Sequence, residues 1–459
     1  MIQLTPRRHE LLSVYMLGAG TLFLYLGYII QGFIAEAVIH TVSERYPGSI
    51  TKFGGFYGQA IHYTAFATSS LITPSIQAYV RSKWILTLAS VLFGIYYLGF
   101  IKVNAIYFFI SQGLMGLGYS FYNNGEGAYL SEHSSRKTLE SNTGIETAVG
   151  HSSMFIGGAA LVLIYYIITP TGSGEVATQS YTDSQIHVIY GVFFALNVIS
   201  IIIFTCLPTK EYDSIASKSR EAVPSIKEQF FKFKSTILQP NMLLLTPFFA
   251  YMGLIVSFLI GVYPTTLAFT AALKNDVYIV AIYSLSMGAA EIFGGVVLRR
   301  LIKKSQEWGL VVTISLHFIS AMSAIILILL SVPDMASIEP TTESTLLIKP
   351  SRVIVVIVGF FIGMGDFSIT SGRAVICQLA VPDARMQVFS LSRIYQCIAS
   401  CAILFISPYM KIKYWVIVLG IGLIIGATNF AIVARRTSHI RKNLVSPGSD
   451  EKGTDKETA

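Results

Sequence analysis

Apolar residues run along this chain in blocks of about 20, separated by short polar stretches. Neither the alternation of a half-buried strand nor the one-sided stripe of a soluble helix is dominant. The blocks cover residues 11–39, 54–79, 84–101, 105–130, 141–168 and 187–207, then 241–271, 277–298, 309–331, 353–380, 387–408 and 414–434. Nearly all of them are long enough to cross a hydrocarbon core of about 30 Å as a helix. A bilayer offers no partners to backbone N–H and C=O groups, so segments of this kind must satisfy those groups internally, as helices. The pattern predicts an all-α membrane protein of about 12 transmembrane helices in two pseudo-symmetric six-helix bundles.

The blocks set the domain limits. Residues 1–207 form the N-terminal bundle, 208–240 a basic connection, part of it an amphipathic helix lying at the interface, and 241–434 the C-terminal bundle. Residues 435–459 form a polar tail expected to be disordered. The first block is too long for the apolar core of a signal peptide. Composition agrees: 53% of the 459 residues are hydrophobic and 13% charged, against about 25% charged in a soluble domain.

The net charge of +8 could suggest an acidic partner, so the positions of the basic residues matter more than their number. With the N-terminus in the cytosol, 23 of the 33 Lys and Arg residues fall in cytosolic segments. That is a positive-inside bias with both termini cytosolic. Basicity follows from topology, and no nucleic-acid partner is expected. The membrane itself, plasma or endolysosomal, stays undecided.

Two arginines, Arg373 and Arg393, belong to no loop; they lie inside proposed spans. An internal repeat gives them a context. Laid on each other at an offset of 247 residues, "GLGYSFYNNGEGA" from Gly116 and "GMGDFSITSGRAV" from Gly363 match three glycines. Gly116 meets Gly363, Gly118 meets Gly365, and Gly125 meets Gly372, at spacings that let helices approach closely. The same offset puts Glu126 opposite Arg373 and Glu146 opposite Arg393. A charge in a span costs about 2.5–3.5 kcal/mol on insertion scales, so pairing across the pseudo-twofold would relieve all four. Three readings stay open: a breakable gate at the cytosolic end, a permanent ion pair that holds the bundle, and glutamates that snorkel to water.

Other polar residues in apolar runs are weaker signals. Asp366 in "GMGD" and Glu291 in "GAAEIFGG" are candidates for coupling protons to transport or for structural carboxylates, and Asp366 could also partner Arg373. Gln31 and Glu36 are placed along the outer cavity or at a helix interface. His62, His151 and His317 are isolated, and Cys206, Cys377, Cys397 and Cys401 read as packing residues, so no metal and no cofactor is expected. No phosphate-binding loop, nucleophile elbow or dinucleotide motif occurs, which argues against an enzyme. Of two sorting-like strings, "ESTLLI" (343–348) falls on the outer side and "YDSI" (212–215) on the cytosolic side.

Six plus six helices around a basic middle loop is the layout of the major facilitator superfamily. "TAFATSSLITPSI", "GEGAYLSEHSS" with "SNTGI", "GVYPTTL", "GAAEIFGGVV" and "GFFIGMGD" together resemble its Unc-ninety-three-like branch, in particular the orphan facilitator-domain members and a nematode one. The resemblance covers nearly all the helical region. Gly127, Asp366, Glu291 and Gly295 fit it, with Gly127 and Gly295 as further helix-packing glycines. Such relatives often have Gln-Gly at Glu126-Gly127, and Arg373 is not part of their pattern. It implies either an orphan carrier of a small solute or a regulator or trafficking partner of another membrane protein, such as a potassium channel.

Overall fold

A computed structural model describes residues 5–77, 79–135, 138–168, 181–209, 226–304 and 308–437. Arg136, Lys137, residues 210–225 of the central connection with the "YDSI" string, and nearly all of the tail lie outside the described residues.

Among the described residues, sixteen α-helices make up the two bundles and part of the connection between them. They are α1 (Pro6–Arg45), α2 (Gly54–Ser69), the short α3 (Thr73–Gln77), α4 (Ser82–Leu98), α5 (Ala105–Glu132), α6 (Leu139–His151), α7 (Ser153–Ile168) and α8 (Asp183–Thr205). After α9 (Ile226–Ile237) come α10 (Pro240–Ser257), α11 (Tyr263–Phe269), α12 (Ile279–Lys304), α13 (Gly309–Ser331), α14 (Arg352–Leu379), α15 (Arg385–Ile406) and α16 (Ile412–Arg436). Among the described residues, ten helical stretches are long and apolar enough to cross a membrane by length and composition, with α6–α7 and α10–α11 each counted as one. Two further passes complete twelve: α2, of 16 residues, and α5, whose Asn123–Glu126 stretch is polar. The chain is therefore a multi-pass membrane protein with two six-helix bundles.

The bilayer explains the surface. In α16 the inward face, Trp415, Leu419, Leu423 and Phe430, is buried, while Ile417, Ile421, Ile424 and Ile425 are exposed on the other. A helix apolar all round is stable only where its outer face meets lipid.

Local chemistry sets the ends. The Asn104 side chain accepts from the N–H groups of Ile106 and Tyr107 at 3.0 and 3.2 Å and starts α5; Ser351 does the same for α14. Both helices have 28 residues and begin and end at the repeat offset. The second span breaks earlier than the apolar block suggests. Ser69, Ser70 and Thr73 donate back to the carbonyls of Ala65, Phe66 and Ser69 at 2.6–2.8 Å, and the helix stops at Ser69. The seventh pass is also interrupted, by a π turn at Phe258–Val262 between α10 and α11.

The repeat recurs in three dimensions. A Cβ on Gly116 would lie 2.2 Å from the His62 carbonyl oxygen in α2, and one on Gly363 would lie 2.2 Å from the Met287 carbonyl oxygen in α12. Gly118 and Gly125 face α4, while Gly365 and Gly372 face α13. Gly295 packs against the Phe367 ring. Gly127 is a correction: a Cβ there would meet open space, so it packs no helix.

The two bundles meet along α1 with α11, α7 with α12, and α2 with α15. We call the end holding Pro6, Ser82 and Glu132 the near end and the opposite one the far end. The far end is sealed. His40 packs against Phe269 with centroids 4.9 Å apart, Phe33 against Tyr283 at 5.5 Å, and Tyr57 against Phe405 at 5.9 Å, all with tilted rings. Deeper in, Thr64 Oγ1 lies 2.9 Å from Cys401 Sγ, and Ser284 Oγ donates to the Met154 carbonyl at 3.0 Å. At the near end, among the described residues, α5 and α14 form no packed interface, nor do α6 and α15.

Candidate functional site

The near-end cleft is where the charges gather. Glu126 sits six residues before the end of α5, and Arg373 six before the end of α14, roughly 9 Å of helix from the near end in each case. Glu146 in α6 and Arg393 in α15 enter at a similar depth from helices that start at the near end.

The N-terminal wall is acidic. The side chains of Glu126 and Glu146 are near neighbours, with Tyr122 beside them. Thr21 Oγ1 donates to Glu146 Oε1 at 3.1 Å and lies 2.9 Å from the Tyr122 hydroxyl, which ties the pair to α1.

The C-terminal wall is basic. Arg373, only 7% exposed, donates from Nη1 to Gln396 Oε1 at 2.6 Å. Arg393 makes no hydrogen bond and no ion pair within 4.0 Å among the described residues, yet faces Glu126 across the cleft and lies beside Arg373 and Tyr63.

The pairing drawn from the repeat therefore takes another form. No ion pair within 4.0 Å joins Glu126 or Glu146 to Arg373 or Arg393 among the described residues. Glu126 has Glu146 as its near neighbour and Arg393, not Arg373, as the opposing cation. The physical reason is that the near ends of the bundles stand apart, so each like pair is closer to its own bundle than to the other.

Asp366 and Glu291 are placed elsewhere. They lie near each other at the packed α12–α14 contact, with Arg373 two turns beyond Asp366 on the same helix. Asp366 also borders a small apolar cavity of about 20 Å³ with His317. His317 is fully engaged, its Nδ1 2.8 Å from the Gly365 carbonyl and its Nε2 3.0 Å from the Tyr251 hydroxyl. Glu36 is buried against the start of α2, which is the interface placement.

Tyrosines between the acid wall and the far-end seal have no counterpart in the expected site. Tyr25 and Tyr28 of α1 and Tyr119 and Tyr122 of α5 form one cluster, with ring centroids 5.1–6.4 Å apart. The signal for them exists in the sequence: each pair is three residues apart, hence on one helix face. Beyond the tyrosines is a polar cavity of about 20 Å³, lined by Gln31, Gln59, His62 and Gln112 and closed by Ile260 of the π turn. Both amide atoms of Gln112 and the Nδ1 of His62 are buried there without a partner.

With this geometry in place, the likenesses to known proteins can be read. The profile of a family described as "Ion channel regulatory protein UNC-93" matches residues 46–431. The "UNC93-like protein MFSD11" of Xenopus tropicalis is 26% identical over 452 residues, covering 94% of this chain and 97% of that one. Among solved structures, a peptide transporter POT in complex with sulfate superposes with a TM-score of 0.65 at 12% identity, over 93% of this chain and 95% of the other. A bacterial homologue of the human lysosomal transporter Spinster, inward-facing and unoccupied, superposes with a TM-score of 0.59 at 12% identity, over 94% and 98%.

Proposed function

Given that the chain belongs to the UNC-93 family, we propose that it is a secondary transporter of a small solute, working by alternating access with the near-end charges as its gate. The observation that carries this reading is the asymmetry of the cleft. Its far end is sealed by aromatic contacts between bundles, while at its near end an acidic wall and a basic wall oppose each other without pairing. Closing the near end would bring Glu126 and Glu146 onto Arg373 and Arg393, and that gain would offset the loss of the far-end contacts. A two-state element of this kind is what alternating access needs. The basic residues at the near end support placing it, and both termini, in the cytosol. The closeness of the two carboxyl groups supports proton coupling through Glu126 and Glu146, with Asp366 and Glu291 as a second carboxylate pair behind the basic wall.

The test is flux in proteoliposomes across a solute panel with an imposed pH gradient. Glu126→Gln is expected to lower uptake by about tenfold or more, since one partner of a charge pair is lost. Glu126→Arg abolishes uptake, and adding Arg393→Glu restores part of it; no rescue by that second change removes the direct gate.

The family's description favours a second reading, a non-transporting regulator or trafficking partner of a channel (a potassium channel is one candidate) or of a receptor. Co-purification with a channel whose current changes, and no flux of any solute, would decide for it.

A further inference from the structure

Resting on the transport reading and naming its cargo, we infer that the cleft binds a small zwitterion, an amino acid or short peptide, with its carboxylate on Arg373 and Arg393 and its ammonium on the Glu126–Glu146 wall.

The basic wall has unused donors. A guanidinium carries five N–H groups, and Arg373 commits one, Nη1, to Gln396. Arg393, half-buried, commits none among the described residues. Two arginines side by side inside a membrane protein repel each other, and such residues are tolerated where they meet a counter-charge or line a polar cavity. The planar fork of each matches a carboxylate in bidentate fashion, and among the described residues no carboxylate of the C-terminal bundle pairs with either within 4.0 Å, Asp366 acting on Arg373 only from two turns away.

The opposite wall is complementary. The Glu126–Glu146 pair is a ready acceptor of ammonium hydrogen bonds, and the π faces of Tyr25, Tyr119 and Tyr122 beside it favour a cation. A monovalent anion would satisfy one wall only, and a monovalent cation the other. A solute carrying both charges spans the gap that keeps the walls more than 4.0 Å apart. The floor adds a size limit. The unpartnered Gln112 amide lies at a cavity of about 20 Å³, which holds one water or one small polar group and no aromatic side chain.

Binding is measured on the full chain in detergent by titration calorimetry and thermal shift, with L-alanine, L-alanyl-L-alanine, propionate and propylamine as probes. At least one zwitterion is expected to bind, with propionate and propylamine about tenfold weaker or worse. Arg393→Gln should weaken the zwitterion by about tenfold, and Arg393→Lys, which keeps the charge and loses the fork, by less. The amino acid or the dipeptide binding more tightly shows which length of zwitterion the walls accept. Propionate binding as tightly as the zwitterions, no zwitterion binding, or unchanged affinity in a folded Arg393→Gln protein would each overturn the inference. Flux of an uncharged solute with no zwitterion binding defeats the inference and leaves the transport reading intact. Zwitterion binding without flux of any solute keeps the site and defeats transport.

Discussion

Glu36 illustrates how a single residue acquires its role from the fold. Its carboxylate accepts from the Phe56 N–H at 2.8 Å and lies against Gly55, so it caps the first turn of α2, where Phe53 has no side-chain acceptor to offer. The cap works across 20 residues of sequence and has no local signature like Asn104 or Ser351, which is why the sequence leaves cavity and interface placements of this carboxylate equally open. Glu36→Leu should orphan the capped donors and lower the stability by about 1–3 kcal/mol. Glu36→Gln keeps an acceptor and should lose less. Melting of the two detergent-purified variants checks the order, and equal melting temperatures would show that the cap contributes nothing. At the same scale, Glu126, Glu146 and Arg373 were legible as intramembrane charges, but not that Glu126 lies beside Glu146 and Arg373 beside Gln396, because side-chain partners depend on how far apart the bundles stand.

At the level of helices, glycine placement divides into close contacts and open positions. Gly116 and Gly363 each hold their helix against the backbone of a neighbour, where a methyl group would come within 2.2 Å of a carbonyl oxygen. Gly116→Ala and Gly363→Ala must push α5 off α2 and α14 off α12, and both are expected to lower the melting temperature. Gly127→Ala meets nothing, so it should be neutral or gain up to about 1 kcal/mol from helix propensity. Thermal unfolding of the three variants separates them; a destabilised Gly127→Ala would mean that its exposed face has a partner. The repeat spacing pointed to the first two, because backbone approach repeats wherever the helix pairing repeats. It was silent on Gly127, because its neighbours in sequence carry no information on the empty space beside it. The early end of α2 was likewise present in "TSSLIT", as hydroxyls able to bond their own helix, but hydropathy alone runs past it.

For the whole molecule, the near-end cleft makes a prediction about access. In a variant without native cysteines, Tyr119→Cys should react with a membrane-impermeant thiol reagent applied to the near side and not to the far side. Tyr283→Cys, behind the far-end seal with Phe33, should react from neither. Labelling of Tyr119→Cys from the far side would mean that the resting protein opens the other way. Adding a transported solute should then shift the near-side labelling rate, since alternating access exchanges the two seals.

The sequence alone determined the solvent, the number of passes, the repeat and the family, because each is written in properties that are local or periodic: hydropathy over a helix length, basic loops, glycines at one offset. Tertiary structure decided which bundle ends touch, which charges share a wall, that the tyrosines of α1 and α5 come together above the acids, and that Glu36 caps a distant helix. Those depend on the relative placement of two rigid bundles, and small shifts of a bundle exchange one set of partners for another without changing a single residue.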